Sequence, residues 1–452
     1  MKNTLTLYTL RKALHVLAIS SACFLKKPCM FFSSGFEEKT SALRRSAILP
    51  AAACLLLGIG TALSLHSCSE DIPTVSLGID NEYYLPRMQS LRLSPALTGK
   101  AYRWIGKDRE GRDSLLSTEH HYTFIRAEEG TYPISFEIVD PQTPFRHQFR
   151  IHVLHEEVEY SPYISRVVEY RPAPGQFINQ MPQYEEGDTE EDMRRKAEES
   201  ISGTNQILVS LGGWGGYITF RFDHTVMNRP GHKDFAIYGN AFYANTDPTQ
   251  SGGSAEPGIV MVAYDRNGNG MPDPDEWYEL AGSEYHKPTT LKNYSITYRR
   301  PDPDKPAVPG PGYIDREHIA WQDNQSQSGH IAQNLSHPQD YYPRWIAEGS
   351  LTFSGTLLPP NGTDLSGNGT YYKLQSYDYG YADNKPNSDL DGISFDIDWA
   401  VDANGETVRL PGADFIRVYT GVNQQCGWIG ETSTEITQAR DLNIPIQGLP
   451  NP

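Results

Sequence analysis

The sequence predicts a mainly β protein made of two successive sandwiches, the second larger and carrying long loops. Three observations lead there. Short apolar runs bounded by Gly, Asn, Asp or Pro recur from Ile72 to the C-terminus. The 32 Pro, 39 Gly and 27 Tyr favour strands and turns over helix bundles. Only one stretch, TEEDMRRKAEESI from Thr189, has the start signal and first-turn acids of a helix. A chain of 452 residues, 38% hydrophobic and 21% charged, can bury cores for two domains.

Residues 1–67 read as a targeting segment outside the fold. Arg44 and Arg45 precede the apolar run Ala47–Leu65, which ends in Leu65-His66-Ser67-Cys68. This resembles a bacterial lipoprotein signal, in which Cys68 is lipidated and becomes the first residue. Ser69-Glu70-Asp71 follows directly and resembles the acidic tag that sends Bacteroidetes lipoproteins to the outer face of the outer membrane. The membrane is then met only through the lipid anchor. Beyond residue 67 there remain 31 basic and 54 acidic side chains, a formal charge of −23. That charge opposes nucleic acid and anionic membrane surfaces as partners.

From residue 68 to 155 short alternating strands predict the first sandwich. AYRWI (101–105) places Trp104 in mid-strand, and GTYPISFEIVD (130–140) alternates with period two. The pair resembles a PKD-like, immunoglobulin-type module, which implies a spacer that lifts a functional domain from the membrane. Residues 156–206 read as a connector holding the one helix. From 207 to 452, strands are expected at Ile207–Leu211, Tyr217–Phe222, Phe235–Tyr238, Gly258–Tyr264, Tyr294–Tyr298, Ser350–Phe353, Tyr371–Ser376, Gly392–Ile397 and Phe415–Tyr419. Nine short strands with long connections predict a large sandwich of jelly-roll type.

The most specific chemical motif follows one of these strands. Asp265, Asn267, Asn269, Met271, Asp273 and Glu276 occupy ligand positions 1, 3, 5, 7, 9 and 12 of a calcium loop, with Gly270 at the turn position. Met271 would contribute its backbone carbonyl. The strand-like GIVMVAY before the loop, and Pro272 and Pro274 within it, argue against an EF-hand. Two readings stand: a structural Ca2+ brace, or an Asx-rich turn that satisfies its own backbone.

Three loop regions combine rings with amides and carboxylates, the groups a neutral ring-shaped ligand needs. Gly212-Gly213-Trp214-Gly215-Gly216 offers a stacking platform, against a tight turn with the ring packed inward. Residues 321–345 supply Trp321, Tyr342 and Trp345; residues 371–389 supply Tyr377, Tyr379, Asp383 and Asn384. These eight residues are the expected ligand set. Cys426 is the one cysteine after Cys68, which excludes an intramolecular disulfide and a thiol zinc cluster and reads as a small buried apolar residue. Glu256, Glu279 and Glu284 lack any spacing that singles out an acid and its partner, and neither a Gly-x-Ser-x-Gly elbow nor a His-Glu-x-x-His pair occurs. The chain is expected not to be an enzyme.

EYRPAPGQFINQMPQYEEGDT, SLGGWGGYITFRFDHTV, EPGIVMVAYDRNGNGMPDPDEWYELAGSEY, YDYGYADN and DFIRVYTGVNQQCGWIGETSTEI resemble, in this order, a family of Bacteroidetes cell-surface lipoproteins with a PKD-like N-terminal domain. Members are often found with cobalamin-uptake genes, beside TonB-dependent transporters. The resemblance implies a surface-exposed outer-membrane lipoprotein that binds a nutrient, a corrinoid such as cobalamin, for delivery to such a transporter. The alternative is a calcium-braced module that binds glycans or proteins in adhesion.

Overall fold

The computed structural model describes residues 76–108, 110–229, 231–244 and 249–444. The targeting segment and Cys68 lie outside these residues. Within the unit of residues 73–452, the described residues build two large apolar cores and two small clusters.

The first core belongs to the predicted N-terminal sandwich. Its five-stranded sheet runs Glu82–Pro86, Phe145–Leu154, Gly130–Ile138, Tyr102–Lys107, Asp113–Ser117, and its first pair is parallel. A two-stranded ribbon, Leu91–Leu93 with Tyr122–Phe124, completes it. Trp104 is fully buried against Phe136, at 4.6 Å between ring centroids, and its indole donates to the Glu119 carbonyl. Strand alternation therefore sorts inward rings from outward charges, as the period predicts.

The segment expected as a connector is instead part of the larger body. Arg166–Arg171 pairs with Tyr217–Arg221 at the edge of the main sheet. The helix Glu190–Ile201 is capped as predicted: Thr189 Oγ1 accepts from the Asp192 amide, and Asp192 Oδ2 accepts from the Thr189 amide. It buries Met193, Ala197 and Ile201 in the same core as Val167 and Tyr170. Sequence period alone could not show this, because the strand and the helix each expose a polar face.

The main sheet is antiparallel, in the order Ala400–Val401, Trp277–Leu280, Gly258–Ala263, Phe415–Thr420, Tyr217–Arg221, Arg166–Arg171, with Tyr381–Ala382 also pairing Gly258–Ile259. Gly258–Ala263 is buried along almost its whole length, so it reads as an apolar run without alternation. A second antiparallel sheet, Ser328–Asn334, Tyr313–Asp323, Leu291–Arg299, Ser350–Leu357, shares its core. The Tyr298 hydroxyl donates to the Trp214 carbonyl, and the Tyr419 hydroxyl accepts from the Thr356 amide, tying the two sheets. The protein is thus mainly β, with sheet-on-sheet packing in both bodies.

One strand of that second sheet, Ser328–Asn334, and the end of another, Tyr313–Asp323, fall in the region read as ligand loop. Tyr313–Asp323 and Ser328–Asn334 form a hairpin whose turn is held by Asp323 Oδ1, which accepts from the Gln325 and Gln327 amides. Few residues of this hairpin are buried, so the apolar signal that marks a strand is sparse.

Candidate functional site

The Asp265 loop leaves the end of strand Gly258–Ala263 and re-enters the sheet at Trp277. Asp265 Oδ1 accepts from the Gly268 and Asn269 amides and Oδ2 from the Gly270 amide, at 2.7–3.1 Å. Asn267 Oδ1 accepts from the Asn269 amide, and Asn269 Oδ1 from the Met271 amide. Gly268 and Gly270 have φ of 70° and 75°, which lets the chain turn twice within three residues. The side-chain amides of Asn267 and Asn269 converge on Asp273 Oδ2 at 2.6 and 2.9 Å. Glu276 is buried, its two oxygens accepting from the Arg266 and Asp273 amides. The loop therefore satisfies its own backbone, as the Asx-rich turn reading expects, and its two asparagines turn their nitrogens rather than their oxygens toward Asp273.

The eight expected ligand residues do not form one pocket. Trp214 is 0% exposed, meets Tyr294 edge-on at 4.7 Å, and its indole donates to the Thr356 carbonyl. The glycines beside it are required by contact: a Cβ on Gly212 would lie 2.0 Å from the Ala173 carbonyl, and one on Gly215 2.4 Å from Phe353. The Gly-rich turn is a packed corner rather than a platform. Tyr342 is buried under Arg300 and donates to the Glu348 carbonyl; Trp345 is buried beside Tyr170 and Tyr184. Tyr377 and Asn384 tie one loop to itself, with the Asn384 amide bridging the Tyr377 backbone. Tyr379 alone of the set is well exposed, leaning on Trp399. These rings pack inward because the second sheet covers the first on that side.

Trp214 and Trp321 do meet, along a cavity of about 130 Å³ that Ile331, Gln424, Gln425 and Glu431 also line. Its volume is below the roughly 300–1,000 Å³ of small-molecule sites. Glu431 is 2% exposed; its Oε1 accepts from the Gln176 amide at 2.5 Å, and its Oε2 has no hydrogen-bond partner among the described residues. Burial pushes the Glu431 carboxyl up to about 8, against the pull of the Gln176 amide. A larger groove, about 510 Å³, crosses the outer face of the N-terminal sheet. Its charges are matched there: Arg150 with Glu82, Lys107 with Asp113, Arg146 with Glu137.

The residue that sequence reasoning passed over is Trp428. It sits on a single 3-10 turn, Gly427–Ile429, closed by Cys426 donating to the Gly430 carbonyl, and is 61% exposed. Three neighbouring loops reach the same place. The Tyr313 hydroxyl donates to the Gly427 carbonyl, the Asn334 amide to the Trp428 carbonyl, and a Cβ on Gly427 would touch Gly369 and Tyr372. Leu335, Leu365 and Tyr371 are exposed on these loops. Loop 364–371 is held by its own side chains: Ser366 Oγ accepts from the Asn368, Thr370 and Tyr371 amides, and Asp364 from Gly369. A lone Trp in a Gly-rich, polar stretch was the available signal. Cys426, next to it, is buried with Ala255 and Leu374, and burial pushes its thiol up to about 11, as suits an inert apolar residue.

Glu279 and Glu284 are committed to partners, Thr356 and Lys292 for the first and Lys287 for the second. Glu256, by contrast, meets Asp383 and Glu435 below the surface, with one oxygen of each within 4.8 Å of the others. Glu431 and Glu435 belong to Gly430–Asp441, which is buried throughout although nine of its twelve residues are polar or charged.

No helix of the described residues is long and apolar enough to cross a membrane. No family model matches the chain, and no curated protein matches it. Among solved structures, carbohydrate-binding modules from the β-sandwich superfamily, studied for promiscuous specificity, align over 80% of this chain and 92% of their own, at 8% identity and a TM-score of 0.13. At those values the likeness carries no argument about what this chain binds.

Proposed function

We propose that this chain is a non-catalytic, lipid-anchored binding protein of the cell surface, and that its ligand is a glycan held on the exposed ring of Trp428. One observation carries the reading. A tryptophan 61% exposed stands on a tight turn whose backbone meets Tyr313, Asn334 and the Gly369–Tyr372 segment, and Leu335, Leu365 and Tyr371 are exposed on the chain next to those contacts. Large apolar side chains gathered at one exposed place mark interaction sites. A flat ring with hydroxyl and amide groups beside it suits a sugar face and its edge hydroxyls. Because the loops are braced by their own hydrogen bonds, little ordering is lost on binding. The small cavity at Trp214 gives no support to an enclosed corrinoid, and a transporter partner rests on the family resemblance alone.

The test is a glycan array of neutral oligosaccharides, followed by calorimetric titration of the best ligand. Trp428→Ala is expected to weaken that ligand at least about 10-fold, a loss of about 1.4 kcal/mol, with the fold unchanged. An empty array, unchanged affinity in the variant, or tight binding of cyanocobalamin that ignores Trp428 would each sink the reading.

The same proposal places Ca2+ in the Asp265 loop as a brace. Asp265, Asn267, Asn269, Asp273 and Glu276, with the Met271 carbonyl, would hold it, and the ion would supply positive charge to oxygens that the loop's own amides face. Chelation is expected to lower the melting temperature by about 5 °C or more, since an ion that binds only the folded state stabilises it. In Asp265→Ala that shift should shrink; a wild-type chain indifferent to chelator removes the claim.

A further inference from the structure

The larger body meets the N-terminal sandwich through a small apolar contact. Met88 and Ile125 of the sandwich close on Met227 of the larger body, with Tyr160 and Ile444 packed against them. That cluster is far smaller than the core on either side, so polar contacts carry much of the joint. The segment 156–162 supplies them. The Tyr160 hydroxyl donates to the Arg87 carbonyl at 3.3 Å and to Glu156 Oε2 at 2.9 Å, and Arg87 donates to the Val158 carbonyl. The Ser161 amide donates to Asp223 Oδ2 at 3.0 Å, and the Pro162 carbonyl accepts from the Asp441 amide.

His224 links these contacts. Its side chain is fully buried and touches the rings of Tyr160 and Phe222, at 5.3 and 5.9 Å between centroids. Nδ1 lies 2.6 Å from Asp223 Oδ1, and Nε2 lies 2.7 Å from Asp441 Oδ2. A neutral imidazole has one N–H and would turn the lone pair of its other nitrogen toward a carboxylate. With both aspartates ionised, only the doubly protonated ring donates to both. Burial alone would pull the His224 value below its ordinary 6.5, but Asp441 and Asp223 outweigh it and hold it higher.

The other titratable groups around the ring stand behind its partners. Tyr160, with Arg87 over its ring, is pushed up to about 12 by burial and by Glu156, and stays neutral below that. Asp234, near Asp441, is pushed up to about 8 by burial; once ionised it favours the imidazolium. Arg229 reaches Asp441 only through Asn443.

We propose that the imidazolium of His224, held between Asp223 and Asp441, is a proton-operated clasp on the joint between the two bodies. Protonated, it fixes both carboxylates where Ser161 and Pro162 are anchored, which places Tyr160 on Arg87. When the proton leaves to solvent, one carboxylate faces a bare ring nitrogen. Asp223, the more exposed of the two, turns out to water and gives up the Ser161 amide. The linker then loosens and frees the sandwich. Because the folded value is raised, the clasp is closed below pH 6.5 and opens as pH rises through that folded value.

The experiment is hydrogen exchange on the full chain, reading protection of segment 156–162 against its intrinsic rate between about pH 6 and 9. Protection is expected to fall as pH rises, by about 10-fold for each unit by which the folded value exceeds 6.5. Small-angle scattering of the same samples should show the largest dimension growing in parallel. His224→Gln, which cannot be charged, should show the unprotected level at both ends of the range. Tyr160→Phe keeps the ring but loses the bond to Arg87; it should be extended even at the low end, so the test survives if His224→Gln fails to fold. Protection that stays level in wild type, or that falls equally in His224→Gln, would overturn the clasp. So would a Tyr160→Phe chain as compact as wild type throughout.

Discussion

Replacing Trp214 by alanine is expected to cost about 3–5 kcal/mol of stability, the loss typical of a large ring removed from a closed core. The ring is 0% exposed, lies edge-on to Tyr294 and Tyr419, and satisfies its indole nitrogen on the Thr356 carbonyl. Truncation leaves a void against the small cavity already present and strips the Thr356 carbonyl of a donor. The glycines on either side cannot follow the void inward, because they already touch Ala173 and Phe353. Urea denaturation would read the change, with Trp428→Ala as its counterpart, expected within about 0.5 kcal/mol of wild type as for other exposed positions. The pair separates core from ligand roles. A Trp214→Ala chain as stable as wild type, with ligand binding lost, would restore the ring to the platform role its glycines suggest.

That contrast also shows which parts of this protein are legible in its sequence. Where chemistry repeats with a local period, the reading holds. The Thr189 cap, the continuous burial of Gly258–Ala263 and the inward Trp104 follow from spacing alone. So does the self-bonded Asx turn from Asp265 to Met271, because all its groups are contributed by one short loop. Reading fails where a residue's surroundings come from distant segments. GGWGG looks flexible until Ala173, Phe353 and Tyr298 are brought against it. The hairpin Tyr313–Asn334 looks like loop because its sheet is half exposed and its buried residues are few. ETSTEITQ looks solvated, yet it threads through the body and carries Glu431 and Glu435 inward, where Ser210, Asn240, Gln176 and backbone amides receive them. Trp428 was missed for the opposite reason: nothing in one exposed ring announces that three other loops will crowd beside it.

Glu431 makes the second large effect one of pH. Its carboxyl has an ordinary value of 4.5 and is pushed up to about 8 by burial, with the negative Glu435 nearby acting in the same direction. The folded chain thus holds this proton more tightly than the unfolded chain. Its stabilisation is complete below about pH 4.5 and is lost as pH rises through 8, because above that point folding must bury an anion whose Oε2 has no partner. Each unit of difference is worth about 1.4 kcal/mol, so the loss across the window is on the order of several kcal/mol. Glu431→Gln keeps the shape and the acceptor for the Gln176 amide while removing the charge. Other raised groups, Asp234 among them, add slopes of their own, so the informative quantity is the difference between variant and wild type in chelator at each pH. The two chains should have similar stability at pH 4.5, and the glutamine chain should be the more stable by several kcal/mol at pH 8.5. Parallel curves across that range would mean that Glu431 is ionised in the folded protein, and that the cavity beside Trp214 and Trp321 already supplies the counter-charge its lining lacks.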